Sequence, residues 1–188
     1  MTSTAQWDHL LTLDEWDALP EEDAYRKAEL VEGVLQLAPR PISPHQRASR
    51  RLANELEAQL RAAGLEAVQD VDVVLVAGEP PTVRCPDLVV TTIALLDSGP
   101  KRFAASDVEL VIEILSPGTR RVDRIMKLAD YADAGIQNYW IVDIDRPVSL
   151  DAFALIGARY EQSVTSATGT VTLNSPAPVT IDLAALVP

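Results

Sequence analysis

"VELVIEILSP", residues 108–117, is the stretch of sequence that decides the fold. Its density of Val, Ile and Leu is typical of a β-strand buried on both faces, as in a sheet that is covered by helices. Glu113 interrupts the stretch in its middle. Burying an unpaired carboxylate costs several kcal/mol, so we expect Glu113 to be paired, protonated or bound to a metal ion.

The rest of the sequence predicts two long helices and further strands around this one. Residues 43–64 show an amphipathic helix pattern, with Ser43 as its cap and Gly64 at its end. A second helix is predicted over 119–135, capped by Thr119, and a short one over 13–20. We therefore expect an α/β (α+β) fold with a mixed central sheet flanked by helices. Its strands are predicted over 28–39, 66–77, 83–92, 107–115 and 138–144, followed by a hairpin over 149–164. Within 28–39, Gly33 is expected to form a bulge or a turn into a second strand.

The length and composition predict one ordinary globular domain over residues 1–188. Within it we expect an N-terminal helical segment over 1–24 and a C-terminal β-hairpin extension over 145–188. The single cysteine, Cys85, excludes an internal disulfide and fits a reducing compartment. The sequence contains neither a signal-peptide pattern nor an apolar run of the ~18 residues that a membrane span needs, so we expect a cytoplasmic protein without membrane contact.

The charge balance limits the function and the type of metal. The net charge of −12, from 16 basic and 28 acidic residues, argues against a protein that coats nucleic acid nonspecifically. The charge is compatible with an enzyme whose basic residues cluster at one cleft. One Cys and two His argue against a structural zinc site. Any metal would therefore be bound by oxygen atoms, as Mg²⁺ or Mn²⁺ prefers.

Three acidic residues lie in or beside apolar strand patterns: Glu29, Asp87 and Glu113. The spacing between Asp87 and Glu113 allows them to lie on neighbouring strands. Two carboxylates brought together share a proton or hold a divalent cation. The alternatives are that Glu113 belongs to a structural ion pair or an edge strand, and that Asp87 is a turn residue after Pro86.

Basic residues on the two predicted helices are further candidates. Lys127 lies four residues after Asp123, a spacing that predicts a salt bridge on a helix surface, or a lysine directed at the carboxylates. His45 lies in the first helical turn, where it is exposed, contacts a phosphate, or acts as an acid or base. Arg124 belongs to a set of arginines that either balance nearby acids or let one face approach a polyanion.

Longer motifs in the sequence are specific to one family. The segments "PDLVV" (86–90), "ELVIEILSPGTRRVDRIMKLADYADAGIQNYWIVD" (109–143) and "YRKAELVEGVLQLAPRPISPHQR" (25–47) together resemble the Uma-type family of putative restriction endonucleases, within the PD-(D/E)XK nuclease superfamily. The resemblance extends from about Trp16 to Asp143. It implies a restriction-endonuclease-like core and Mg²⁺-dependent (or Mn²⁺-dependent) hydrolysis of phosphodiester bonds in DNA.

The resemblance also implies roles for individual residues. Asp87 and Glu113 match the family's metal-binding acids, and Glu29 matches an upstream glutamate that acts as a further ligand or holds water. The lysine expected two residues after Glu113 is replaced by Leu115, and the resemblance implies that Lys127 takes its place. The remaining candidates, expected to contact the substrate, are His45, Gln46 and Arg124.

Three functions are compatible with these observations. The first is a metal-dependent DNA endonuclease, for which a homodimer would supply the two active sites that cutting both strands requires. The second is a catalytically weak nuclease fold that acts as a binding or regulatory module, favoured by the acidic net charge and by Leu115. The third is a glycoside hydrolase with paired carboxylates, which the aromatic content of 5% disfavours.

Overall fold

The computed structural model of the protein describes residues 3–4, 7–20, 22, 25, 27–37, 41–115 and 122–187. The helices in these ranges are α1 (Leu13–Asp17), α2 (Ser43–Leu60), α3 (Ile93–Asp97) and α4 (Lys127–Asp133), and a π-helical turn (Val122–Met126) leads into α4. The strands are β1 (Ser3–Thr4), β2 (Ala28–Val31), β3 (Val34–Leu37), β4 (Leu65–Val68), β5 (Val73–Val76), β6 (Thr82–Arg84), β7 (Leu88–Thr92), β8 (Phe103–Ala104), β9 (Leu110–Leu115), β10 (Asn138–Asp143), β11 (Ser149–Ile156), β12 (Arg159–Thr168), β13 (Thr170–Leu173) and β14 (Val179–Asp182).

The strands form two six-stranded sheets and a separate hairpin. The first sheet has the order β1-β3-β2-β6-β5-β8, the second has the order β12-β11-β10-β9-β7-β4, and the hairpin consists of β13 and β14. In the second sheet, β9 runs parallel to β10 and antiparallel to β7. The predicted mixed sheet flanked by helices is therefore confirmed. The chain passes from the first sheet to the second between β6 and β7, through Cys85, Pro86 and Asp87.

The strand that carries Glu113 is covered on both faces, as predicted. All six residues of β9 are buried. Leu110 and Ile112 pack into one core cluster together with α2, whereas Val111 and Leu115 pack into another together with Tyr131 of α4. Side chains alternate between the two faces of a strand, so a strand with two covered faces needs the near-continuous apolar run that the sequence shows.

Helix α2 covers one face of the second sheet through a stripe of leucines. Leu52, Leu56 and Leu60 follow one another at four-residue spacing, and all three are buried. Burying each leucine contributes on the order of 1.5–3 kcal/mol. The predicted cap at Ser43 is wrong: Ile42 is the N-cap, without a side-chain hydrogen bond. The reason is that the backbone N–H of residue 46 donates to the Ile42 carbonyl at 3.1 Å, which starts the helical hydrogen-bond pattern one residue earlier.

The predicted strand over 28–39 turns at Gly33 and becomes β2 and β3, as expected, and two further predicted strands each divide into two shorter ones. The predicted strand over 66–77 divides into β4 and β5, which belong to different sheets, at a turn where Asp70 has φ +55°. Aspartate tolerates this left-handed conformation better than most residues. The predicted strand over 83–92 divides into β6 and β7 around Pro86, which lacks the N–H that a central sheet position requires.

The C-terminal region contains more strands than predicted. The expected hairpin over 149–164 consists of β11 and β12, and β11 pairs with β10, so the hairpin extends the second sheet. Three short elements were not predicted: strands β13 and β14 and helix α3. Each is too short to show a periodic hydrophobic pattern in the sequence. The predicted cap Thr119 lies outside the described residues. Across the part of the chain that the structure describes, no helix is both long and apolar enough to cross a membrane.

Candidate active site

Asp87 lies at the crossing between the two sheets and is held by three hydrogen-bond donors. Its carboxylate accepts from Lys27 Nζ at 3.0 Å, from His45 Nε2 at 3.0 Å and from the backbone N–H of Ile114 at 2.9 Å. Burial by itself raises the pKa of the Asp87 carboxyl. The hydrogen bond from His45 and the charge of Lys27 outweigh burial and hold this pKa well below its usual range. Asp87 is therefore an ionised carboxylate at neutral pH.

His45 links Asp87 to the strand that carries Glu113. Its Nε2 lies 3.0 Å from Asp87 Oδ2 and 2.9 Å from the carbonyl oxygen of Ile114. Both of these oxygen atoms only accept hydrogen bonds, so Nε2 must carry a proton. Burial lowers the pKa of His45, but the hydrogen bond to Asp87 and its negative charge raise this pKa above its ordinary value of 6.5. His45 reaches Asp87 from the first turn of α2, where its side chain is buried.

Glu113 lies beside Asp87 on the neighbouring strand. In the antiparallel ladder of β7 and β9, Leu88 pairs with Ile112, and Asp87 and Glu113 are the next residues along. Glu113 is buried, with 3% of its surface exposed. Its Oε1 accepts a hydrogen bond from Lys127 Nζ at 2.8 Å and another from the Tyr131 hydroxyl at 2.7 Å. The cost of burying this carboxylate is thus offset by a charged partner and by a hydroxyl donor.

Lys127 is a buried residue that joins two carboxylates. Its Nζ lies 2.8 Å from Glu113 Oε1 and 3.0 Å from Glu29 Oε1. It is the first residue of α4, directly after the π-helical turn, and 7% of its surface is exposed. Of the two interpretations of its spacing, the structure supports a lysine directed at the carboxylates. The side chain of Asp123 lies outside the described residues.

Glu29 extends the cluster to the first sheet. Its Oε2 lies 2.8 Å from an Arg84 nitrogen, and its Oε1 also accepts the backbone N–H of Cys85 at 3.3 Å. Burial raises the pKa of Glu29, but the positive charges of Lys127 and Arg84 outweigh it and lower this pKa overall. The guanidinium of Arg84 is buried and bonded to Asp130 of α4 as well. Glu29 therefore lies between two cations.

Sequence reasoning missed three residues of this cluster: Lys27, Arg84 and Tyr131. Arg84 carried a usable signal, because it is a charged residue within the strand predicted over 83–92 and so raises the same question as Glu113. Tyr131 lies four residues after Lys127 on one face of α4, so it could have been inferred once Lys127 was placed. Lys27 precedes β2 in a polar stretch, and no local pattern distinguishes it from a surface lysine.

The two remaining candidates lie in different surroundings. Gln46 follows His45 on α2 and is exposed. Arg124 donates to Asp151 Oδ2 of β11 at 2.8 Å and lies 3.9 Å from Asp143 Oδ2 of β10. The side chain of Arg124 is still 40% exposed. Their contact with a substrate stays a prediction.

The cluster offers hard oxygen donors but no preformed metal cage. No three His, Cys, Asp or Glu side chains converge as a metal site among the residues that the structure describes. Asp87 Oδ2 and the Ile114 carbonyl oxygen nevertheless converge on the same N–H of His45. The His45 N–H occupies the point where these two oxygens converge, so a cation there would have to displace it. Carboxylate and carbonyl oxygens are nevertheless the ligands that Mg²⁺ and Mn²⁺ prefer. The donor set therefore fits such a metal.

Comparison with known proteins agrees with this fold. A similar solved structure is the crystal structure of a putative nuclease belonging to DUF820 from Anabaena variabilis ATCC 29413, with a TM-score of 0.68 and 20% sequence identity. The similarity covers 88% of this chain and 89% of that one. The two proteins share one fold, a mixed α and β architecture with helices against the sheets. No curated protein matches the sequence.

The sequence also matches a family model. The model for Uma2, described as putative restriction endonuclease, matches residues 13–185. The chain belongs to the Uma2 family of putative restriction endonucleases. The resemblance inferred from the sequence motifs is thereby confirmed.

Proposed function

We propose that this protein is a metal-dependent DNA endonuclease whose centre is formed by Asp87, Glu113, Glu29 and Lys127. The observation that carries the proposal is the position of two buried acids in neighbouring strand segments: Asp87 directly precedes β7, Glu113 lies within β9, and Leu88 pairs with Ile112 between them. A buried lysine, Lys127, contacts Glu113. Membership of a family of putative restriction endonucleases supports DNA as the substrate. In this proposal Asp87 and Glu113 bind Mg²⁺ or Mn²⁺, and Glu29 is a further ligand or holds a water molecule.

The protein's own residues prepare this chemistry. When bound, a divalent metal lowers the pKa of a coordinated water and neutralises charge that develops on the phosphate. His45 and Lys27 keep Asp87 ionised and fix its orientation. Lys127, shared between Glu29 and Glu113, is placed to orient the attacking water or to stabilise negative charge in the transition state. Gln46 and Arg124, both with exposed polar groups, are proposed to contact the DNA backbone.

The acidic net charge of the protein should repel DNA less at this site than over the rest of the surface. Glu29, Asp87 and Glu113 are each in contact with Lys or Arg or both. These contacts reduce the local negative potential that DNA would meet. A bound divalent cation would reduce it further.

The proposal is tested by metal titration and DNA cleavage on the same samples. Calorimetry with Mg²⁺ and Mn²⁺ would compare the wild type with Glu113→Gln, and plasmid nicking would be assayed alongside. Metal binding and nicking by the wild type, both lost in the variant, support the proposal. Absence of metal binding up to about 10 mM would refute it, because that limit corresponds to a binding free energy near −3 kcal/mol.

A second candidate function is favoured by a specific observation. Each proposed ligand already contacts a Lys, Arg or His nitrogen: Asp87 contacts Lys27 and His45, and Glu113 contacts Lys127. Such internal pairing suits a catalytically weak nuclease fold that acts as a binding or regulatory module. DNA binding without cleavage in the same assay, with no metal bound, would favour this alternative.

A further inference from the structure

A cavity of about 600 Å³ opens on the side of the first sheet, close to the acidic cluster. Its walls include the aromatic residues Trp16 and Tyr25 and the cationic residues Lys101 and Arg102. A volume of this size lies within the range of about 300–1,000 Å³ that is usual for small-ligand pockets. The cavity is therefore large enough for a nucleotide, and its walls combine aromatic and polar groups.

One ammonium group connects this cavity with the candidate active site. Lys27 Nζ lies 2.8 Å from Asp70 Oδ1, and Asp70 lines the cavity. The same nitrogen lies 3.0 Å from Asp87 Oδ1. Because Asp70 Oδ1 and Asp87 Oδ1 both contact this nitrogen, the distance between them cannot exceed the sum of the two contacts. That sum is less than two steps of the ~3.4 Å rise per nucleotide along a DNA strand. A strand with a phosphate at Asp87 would bring a neighbouring nucleotide to the cavity.

The charges around the cavity partly neutralise one another. Arg102 and Lys101 both pair with Asp17, and Asp70 pairs with Lys27. Each of these three contacts holds a carboxylate next to a cation. Glu22 and Asp72 also line the cavity, so its walls keep an excess of negative charge. What the walls then offer a ligand is aromatic surface and hydrogen-bond acceptors, which suit a base with hydrogen-bond donors.

A further carboxylate in the wall is held in a defined orientation. Asp72 Oδ2 accepts a hydrogen bond from Trp16 Nε1 at 3.3 Å, so the carboxylate is anchored by an aromatic residue of the same wall. Carboxylate oxygens accept hydrogen bonds from the amino groups of nucleobases, and aromatic rings stack on base faces. A flat base with an amino group on its edge matches both features.

We infer that the cavity receives one base of the DNA strand, next to the phosphate that is cut, and prefers a base with an exocyclic amino group. This inference rests on the proposed nuclease function. Tyr25 and Trp16 supply the aromatic wall, and Asp72 accepts the amino group. The cavity would then make cleavage depend on the identity of one nucleotide beside the cut.

The test measures nucleotide binding without metal, so that it does not depend on catalysis. Calorimetry of the full chain in EDTA would compare dCMP with deoxyribose 5-phosphate, which lacks the base. We expect deoxyribose 5-phosphate to bind about fivefold more weakly or worse, as loss of a stacked base predicts. Tyr25→Ala should weaken dCMP binding by a similar factor, whereas Tyr25→Phe should retain it.

A second variant covers the case in which Tyr25→Ala fails to fold. Asp72→Asn keeps the size of the side chain and replaces one acceptor oxygen by a donor. We expect the wild type to bind dCMP at least about threefold more tightly than dTMP, and Asp72→Asn to lose that preference. Equal binding of the two nucleotides by the wild type would overturn the inference.

The remaining outcomes separate this inference from the nuclease proposal. Plasmid nicking in Mg²⁺ by a wild type that binds no dCMP up to about 10 mM would overturn the cavity assignment and leave the nuclease function standing. Equal affinity for dCMP and deoxyribose 5-phosphate would overturn it too. Base-dependent binding with no nicking would refute the nuclease and support the nucleotide site.

Discussion

The amino group of Lys127 lies 2.8 Å from Oε1 of Glu113, although 14 residues separate the two in the sequence. In the superfamily pattern the lysine stands two residues after the acid, on the same face of the same strand. Here that position is Leu115, which packs into the apolar cluster beside Tyr131. Helix α4 places a different lysine, Lys127, on Glu113, so this carboxylate has an ammonium partner although the strand carries an apolar residue at position 115.

Lys127→Met is expected to abolish DNA cleavage. Because Glu29 and Glu113 lose a shared buried cation, it should also cost about 3–5 kcal/mol of stability, so urea unfolding must show that the variant is folded under the assay conditions. The variant removes the only ammonium group seen on Glu113 within the described residues, and loss of a transition-state donor costs roughly 100-fold or more in rate. Plasmid nicking measures the effect. Arg61→Met, which removes an exposed cation from the end of α2, is the matched control and should cleave normally. Unchanged cleavage by Lys127→Met would exclude the proposed role.

Tyr131→Phe is expected to reduce cleavage by roughly 10- to 100-fold, because Glu113 loses a hydrogen bond that fixes its carboxylate. The matched control is Tyr160→Phe, which removes a hydroxyl bonded to the Ile136 carbonyl at 2.7 Å. Both variants should lose about 0.5–3 kcal/mol of stability in urea unfolding, since each loses one hydrogen bond. Only Tyr131→Phe should affect cleavage. An equal effect of both on nicking would mean that Tyr131 acts through stability alone.

Arg84→Met is expected to destabilise the fold by about 3–5 kcal/mol, because it leaves Glu29 and Asp130 without their shared guanidinium. Urea unfolding measures the change. The double variant Glu29→Gln/Arg84→Met should recover part of the loss, since one of the two carboxylates that lost the guanidinium is then replaced by a neutral amide. Strictly additive losses would show that Arg84 and Glu29 are not energetically coupled.

The contact between His45 and Asp87 should make stability depend on pH in a defined direction. Burial lowers the pKa of His45, but the interaction with Asp87 raises it above the ordinary value of 6.5. The folded state therefore binds this proton more tightly than the unfolded chain does. The stabilisation is fully present below pH 6.5 and is lost as the pH rises through the higher pKa of the folded state.

The measurement is the free energy of unfolding in EDTA between about pH 5 and 9, for the wild type and His45→Gln. The difference between the two should be largest at the acidic end of this range and should shrink as the pH rises. A difference that stays constant with pH would contradict the predicted protonation of His45 and leave only a packing role for it.

The parts of the fold that the sequence predicts well are those with strong periodic patterns. The leucine stripe of α2 and the apolar run of β9 are long, so local preference and tertiary packing agree there. The breaks at Asp70 and Pro86 were harder to predict, because each lies inside a longer apolar pattern. Strands β13 and β14 span only four residues each, which is too short for a periodic signal.

The candidate site was predictable where a residue contradicts its surroundings. Glu113 in an apolar strand is such a residue, and Asp87 beside an apolar strand is another. Lys27 is different, because its importance arises only from contacts with Asp70 and Asp87, 43 and 60 positions further along the chain. Such contacts depend on how the two sheets meet, and no local pattern records that arrangement.

The crossing of the chain between the two sheets has a consequence for heat inactivation. Lys27, Glu29 and Arg84 lie in or next to strands of the first sheet, whereas Asp87 and Glu113 lie on the second. Among the described residues, the apolar cluster around β2, β3 and β6 is much smaller than the other two clusters, one of which also takes up Val73 of β5 and Phe103 of β8. The part of the first sheet formed by β2, β3 and β6 should therefore open at lower cost than the whole protein. Warming would then disassemble the proposed active site by partial opening, so inactivation should precede global unfolding.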